Sequence, residues 1–101
     1  MFGDMMGKFQ EMKKKVDETK NQLEMITVMG ESGSGSVKIT ANGNKKILSI
    51  TIKDEVLQGD KDELEDLLIV AANRAIEQAE KVYEGEMQRA TQGFLPNIPG
   101  M

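Results

Sequence analysis

The apolar residues of the first 26 positions recur alternately three and four residues apart. This spacing predicts one long helix with a narrow apolar seam, narrower than the face by which a helix lies on a globular core. Acidic residues four positions before lysines, such as Glu11 before Lys15, support an exposed helix. The seam consists of Phe2, Met5, Phe9, Met12, Val16, Thr19, Leu23 and Ile26.

Three shorter segments follow in which Val, Ile and Thr are frequent and apolar and polar residues partly alternate. Residues 25–30, 37–41 and 47–53 are therefore expected to form the three strands of an antiparallel meander. A Gly/Ser-rich loop at residues 31–36 joins the first two strands and is expected to be flexible. Residues 42–44 join the second and third, and the Asn42-Gly43 pair is expected to supply the positive φ of a tight hairpin.

A second long helix is predicted to begin near Asp60, with Glu63 three residues later as in a capping box. Its first half is apolar almost all round, whereas its second half keeps a narrower stripe from Ala79 to Met87. At ~1.5 Å per residue the helix is about 45–50 Å long, whereas the strands span about 17–23 Å. Its second half is thus expected to extend past the sheet and pack on the seam of the first helix. The stop signals that follow are Gly93, Pro96 and Pro99.

These elements predict an α+β protomer in the order α-β-β-β-α, with a three-stranded antiparallel meander between two long helices. Three strands cover only one flank of a helix that is apolar almost all round. A second copy of the chain is the expected cover for the other flank, which predicts a homodimer with two projecting helical arms. The residues expected at the dimer interface are Leu64, Leu67, Leu68, Ala71, Ala72, Ile76 and Ile50.

The composition narrows the classes of function. The chain has 101 residues, which fits one domain, and it contains neither cysteine nor histidine. The common zinc ligand sets, thiol chemistry and histidine-dependent catalysis are therefore excluded. No secretory signal and no uncharged apolar stretch of ~18 residues is found, so the expectation is a soluble, cytoplasmic protein.

Two polar stretches invite a ligand-site interpretation but are better explained structurally. Gly30 and Gly35 have the spacing of P-loop glycines, but Ser36 and Val37 stand where that loop needs Lys and Ser or Thr. The acidic run at residues 60–66 lacks the spacing and glycine turn of a calcium loop, and acids in the first turns of a helix interact favourably with its dipole. No metal, cofactor or small-molecule substrate is predicted.

The net charge of −4 argues at first against nucleic-acid binding, but the charge is unevenly distributed. Residues 1–26 hold five basic and five acidic groups, residues 27–58 four and three, and residues 59–101 four and nine. The acidity thus belongs to the last segment, and net charge does not exclude a local basic surface. The candidate cations are Lys8, Lys13, Lys14, Lys15 and Arg89, with a second cluster at Lys45 and Lys46.

Three stretches are distinctive when they are taken in order along the chain. The first is the loop Gly30-Glu31-Ser32-Gly33-Ser34-Gly35, followed by Val37. The second is the set Leu64, Asp66, Leu67, Ala71, Ala72, Asn73 and Ala75 of the second helix. The third is the ending Gly93, Leu95, Pro96, Pro99 and Gly100. Together with the Met-rich first helix, they resemble the YbaB/EbfC family of nucleoid-associated proteins over essentially the whole chain.

This resemblance implies a single domain at residues 1–93, a Pro/Gly-containing tail at residues 94–101 and a tweezer-like homodimer. It also implies that the protein binds double-stranded DNA in the bacterial nucleoid, where it would influence nucleoid organisation and gene expression. It implies no enzymatic activity.

Two interpretations of the lysines stay open at the level of sequence. The candidate cations contact DNA phosphates, or the lysines beside the seam pair with acids of the helix packed there, such as Glu77, Glu80 and Glu84. A rival function is a helical protein–protein interaction module that binds no nucleic acid. The acidic last segment and the adaptable methionines of the seam support that rival.

Overall fold

The computed structural model of the protein describes the backbone of residues 2–92 and the side chains of residues 5–92. The elements are α1 (Phe2–Leu23), β1 (Thr27–Ser32), β2 (Val37–Asn42), β3 (Ile47–Ile52), the single turn α2 (Asp54–Leu57) and α3 (Lys61–Thr91). The predicted α-β-β-β-α order is confirmed, and α2 is an added turn between β3 and α3. The molecule is elongated, with extents of 67 × 28 × 16 Å.

Helix α3 begins as its sequence predicts, with Asp60 as the N-cap. The Asp60 carboxylate accepts a hydrogen bond of 3.1 Å from the Asp62 backbone N–H, rather than from that of Glu63. This bond satisfies one of the free N–H groups of the first turn. The predicted stop at Gly93 lies outside the described residues.

The three strands form one antiparallel sheet in the order β1-β2-β3, with Gly30 opposite Ile39 and Ile39 opposite Ile50. Helix α3 lies on β1 and β2, and the core between them is fully buried. Gly30 permits this packing, because a Cβ atom there would overlap the backbone of Ala71 and Ala75. The core consists of Val37, Ile39, Ala41, Ala71, Ala75 and Ala79.

Strand β3 lies beside this core rather than under it. Ile50 pairs with buried Ile39 on the helix-facing side of the sheet, yet Ile50 is 53% exposed. Ile47 and Leu48 of the same strand are also exposed. Helix α3 is therefore too narrow for its sheet, and an apolar strip of β3 stays open in the protomer.

The Gly/Ser loop between β1 and β2 is a hydrogen-bonded turn. Gly33, Ser34 and Gly35 have φ values of 58°, 56° and 89°, in the left-handed region. The Ser32 hydroxyl donates to the Leu67 carbonyl at 2.6 Å, and the Lys53 N–H donates to the Ser36 carbonyl at 2.9 Å. The turn is thereby attached both to α3 and to the end of β3.

The hairpin between β2 and β3 differs from its sequence prediction. The positive φ, 69°, belongs to Lys45, and Gly43 is outside the left-handed region. Gly43 is required for close approach instead: a Cβ atom there would lie 2.6 Å from Leu23 Cδ2 and 3.0 Å from the Leu23 carbonyl oxygen. The expectation that Asn42-Gly43 supplies the positive φ was wrong, because the glycine accommodates the end of α1.

Candidate nucleic-acid interface

An arm is built where α1 packs along the second half of α3. On α1, Thr19 and Leu23 are buried and Met12 and Val16 are half-buried. On α3, Ala79 is buried, and Val82, Tyr83 and Met87 are half-buried. The seam therefore packs as its spacing predicts from Met12 to Leu23. Met5 and Phe9, which belong to the same seam, are exposed.

The hairpin after β2 holds the base of this arm. The Gly43 N–H donates to the carbonyls of Leu23 and Ile26, at 2.9 Å each. The Asn44 side-chain amide donates to the Lys20 carbonyl at 2.9 Å. The Lys20 and Leu23 carbonyls also accept from the N–H groups of Glu24 and Ile26, at 3.2 Å each, so the hairpin adds a second bond to carbonyls at the end of α1.

A carboxylate shared between two asparagines completes this attachment. Glu24 accepts from the Asn42 side-chain amide at 3.1 Å and from that of Asn44 at 3.0 Å. The Asn42 side-chain oxygen in turn accepts from the backbone N–H groups of Asn44 and Lys46. Asn42 is completely buried, so this network fixes one orientation of the arm relative to the sheet.

The candidate lysines of α1 lie on the exposed surface of the arm. Lys8, Lys13, Lys14 and Lys15 are all exposed, and none forms an ion pair with a carboxylate of residues 5–92. The predicted alternative, in which Glu77, Glu80 and Glu84 neutralise them, is not seen among these residues. At 100° per residue, three consecutive lysines spread over three directions, so the arm is basic on several sides.

Arg89 lies near the outer end of α3 and forms a surface ion pair with Glu86. Its guanidinium Nη1 is 3.2 Å from Glu86 Oε1, and its side chain is 77% exposed. A surface pair of this kind contributes about 0–1 kcal/mol and is screened by salt. Arg89 is thus available to an anion only in competition with Glu86.

Sequence reasoning missed a contact at the second basic cluster. Lys45 Nζ lies 4.2 Å from the centroid of the Tyr83 ring, a cation–π contact that joins the hairpin to α3. Lys46 is exposed. The spacing of these residues carries no signal for this contact, because Lys45 and Tyr83 are far apart along the chain and meet only through the fold.

Other kinds of site find no support in the described part of the chain. Residues 5–92 hold no group of acidic side chains arranged to bind a metal ion. No described helix combines the length and the apolar character that a membrane span requires.

The residues expected at a dimer interface divide into two groups. Ala71 is fully buried inside the protomer's own core, and Leu64, Leu67, Leu68 and Ala72 pack partly against it. Ile50 is exposed and Ile76 half-buried. Ile69 and Val70 of α3, which were not among the predicted residues, are 59% and 39% exposed.

Comparisons with known proteins agree with this architecture. A 41% identical relative over 97 residues, from Flavobacterium johnsoniae, is named a nucleoid-associated protein; the match covers 96% of this chain and 91% of the relative. A nucleoid-associated protein from Caldanaerobacter subterraneus is also 41% identical, with 97% and 87% covered. The crystal structure of an uncharacterized protein from Helicobacter pylori has the same fold, with a TM-score of 0.79 at 24% identity over 84% of this chain and 90% of that one. The family model described as the YbaB/EbfC DNA-binding family matches residues 1–94, and the chain therefore belongs to that family.

Proposed function

We propose that the protein binds double-stranded DNA in the bacterial nucleoid as a homodimer, through phosphate contacts made by the lysines of its arms. Membership of a DNA-binding family and the names of the relatives support DNA as the partner. The observation that carries the site is the exposed run Lys13-Lys14-Lys15, which lacks an ion pair with any carboxylate of residues 5–92. Lysines of this kind neutralise phosphates without reading the base sequence.

The open strip of β3 supports the homodimer. Arg74 donates to the Glu31 carbonyl at 2.7 Å, so this flank of α3 faces β1. Ala72 and Ile76, which are about 160° away around the helix, therefore turn towards β3 and its exposed Ile50. Together with the strip of β3, they form an apolar surface that a second copy can cover in a symmetric, self-complementary way. Ile69, seven residues before Ile76 and thus on nearly the same side, extends this surface onto the outer face of α3, whereas Val70 lies on the Arg74 flank.

The densest acidic run lies away from the proposed DNA surface, although the arm's half of α3 also carries Glu77, Glu80, Glu84 and Glu86. Asp60, Asp62, Glu63, Glu65 and Asp66 belong to the first turns of α3, at the opposite end of this helix from the arm. A negative net charge is thus compatible with binding at the arms. It predicts modest, salt-sensitive affinity, since only a few lysines attract the duplex and the acidic groups, some of them on the arm itself, repel it.

The experiment compares two triple variants by fluorescence anisotropy on a random duplex over a salt series. Replacement of Lys13, Lys14 and Lys15 by Ala removes six charges from the two arms of a dimer. Each lost phosphate contact lowers the log–log salt slope by about 0.9, so a loss of up to about 5 is expected. The matched control, Lys38, Lys53 and Lys61 to Ala, removes the same charge elsewhere and is expected to retain the slope.

Two outcomes would contradict this proposal. Equal slopes for the arm variant and the unmodified protein would place the DNA site elsewhere on the molecule. Absence of any binding at low salt would favour the protein–protein interaction module, for which the exposed acidic turns of α3 would be the binding surface.

A further inference from the structure

The apolar seam of α1 continues past the part of the helix that is covered. Its inner residues, from Met12 to Leu23, are half-buried or buried. Its outer residues are not: Phe9 is 65% exposed and Met5 is 59% exposed. Met6, just beside the seam, is 64% exposed. The outer end of the arm thus presents three large apolar side chains that nothing within residues 5–92 covers.

The seam of α1 is covered at its inner end and exposed at its outer end because α1 reaches further along the arm than α3 does. The base of α1 is fixed at the hairpin whose Lys45 contacts Tyr83. Beyond Tyr83, α3 continues only to Thr91, about 12 Å, whereas α1 runs about 31 Å from Leu23 to Phe2. The outer turns of α1 therefore extend beyond the point where α3 ends.

The chain leaves α3 at this point. Gln92 has φ −62° and ψ 130°, an extended conformation, so the helical path ends there. Residues 93–101 lie outside the described residues, but their sequence is apolar at Phe94, Leu95 and Ile98. Pro96 and Pro99 are incompatible with a continued helix.

The length of this segment matches the exposed seam. Nine residues reach at most about 30 Å when extended. The exposed apolar residues of α1, from Phe9 to Met5, span only about 6 Å along the helix. The last described residue, Gln92, ends α3, beyond which the outer turns of α1 extend, so docking of the following segment requires closure of only a short loop, which costs little entropy.

We propose that residues 93–101 dock on the outer end of the α1 seam of their own chain and cover Phe9 and Met5. Their apolar side chains remove seam surface from water, which is the main favourable term in such packing. The arm then has a continuous apolar interior, formed by α3 up to Thr91 and by the C-terminal segment beyond it. This inference concerns the construction of the arm and is independent of the proposed DNA contacts.

The absence of cysteine from the chain permits a clean cross-linking test. Cysteines are introduced at Phe9 and Leu95 in one variant, and at Gln10 and Leu95 in its matched control, without DNA present. Gln10 lies on the side of α1 away from the seam. Docking is expected to make disulfide formation within one chain about tenfold faster for the Phe9 pair, because it raises the effective concentration of the two thiols. Equal rates would overturn the proposal, and so would a product of twice the chain mass, which would assign the seam to a second copy.

Methionine oxidation tests the same contact without altering a seam residue. Met5 lies on the seam and Met6 beside it, and the two are similarly exposed in the described structure. With peroxide, we expect Met5 to form its sulfoxide more slowly than Met6 in the full chain. Truncation after Gln92 is expected to remove this difference, as measured by fragmentation of the N-terminal peptide. An unchanged ratio of the two rates after truncation would overturn the proposal.

Discussion

At the scale of single residues, two glycines decide how closely the elements approach each other. Gly30 lies against the backbone of α3, and Gly43 lies against Leu23 at the end of α1. In both places a neighbouring backbone occupies the position that a Cβ atom would take. These two contacts set the distance from the sheet to α3 and from the hairpin to the arm.

Replacement of Gly30 by Ala is expected to lower the free energy of unfolding by about 1–3 kcal/mol or more, since α3 must move away from β1 to relieve the overlap. Gly85→Ala is the matched control. Gly85 lies inside α3 with open space around the position of its Cβ, so alanine is expected to stabilise the protein by about 0.5–1 kcal/mol. Urea denaturation at fixed protein concentration measures both. Effects of the same sign would contradict this account of Gly30.

The sequence could identify the hairpin at residues 42–44 but not the role of its glycine. Turn rules are local, and they assign Gly43 a positive φ. The structure places that φ at Lys45, because Gly43 is held by the carbonyls of Leu23 and Ile26. Contacts between residues some twenty positions apart leave no local signature, which is also why the Asn42–Glu24–Asn44 network was not predicted.

At the scale of elements, periodicity was sufficient for both long helices and all three strands. The strand ends moved by one or two residues, as β1 at Thr27–Ser32 shows. Periodicity was not sufficient for the lateral position of α3 on the sheet. That position depends on Gly30 in β1 and leaves β3 open, so Ile47, Leu48 and Ile50 of β3 are exposed rather than buried.

The attachment of the arm to the sheet depends on Asn44. Asn44→Ala removes the bonds to the Lys20 carbonyl and to Glu24, and is expected to cost about 1–2 kcal/mol. Hydrogen exchange should become faster in the last turns of α1, whereas the amides of β1 and β2 keep their protection. Asn73→Ala, an exposed change on α3, is the control and should leave α1 unaffected. Unchanged exchange in α1 of the Asn44 variant would show that packing of the seam alone holds the arm.

At the scale of the whole molecule, the helical arms and the open strip of β3 have different proposed partners. Helix α1 carries five lysines and projects beyond the sheet, whereas β3 presents apolar residues beside the core. In the proposed homodimer the strip is buried and two arms approach one duplex together. DNA binding then depends on dimerisation, even though no residue of the strip contacts DNA.

Substitution of Ile50 by Lys tests this dependence. A buried lysine without a partner is costly, so the variant is expected to sediment as a monomer at concentrations where the unmodified protein is dimeric. Met29→Lys, at an exposed position of β1, is the control and should stay dimeric.

The DNA affinity of the monomer then tests the dependence on two arms. With a single arm, the Ile50 variant should keep only about half of the salt slope. Since the substitution adds positive charge, a smaller slope cannot come from lost attraction. Circular dichroism verifies that the protomer is folded. A folded monomer with the full slope would show that each protomer binds DNA independently, and a dimeric Ile50 variant would place the interface elsewhere.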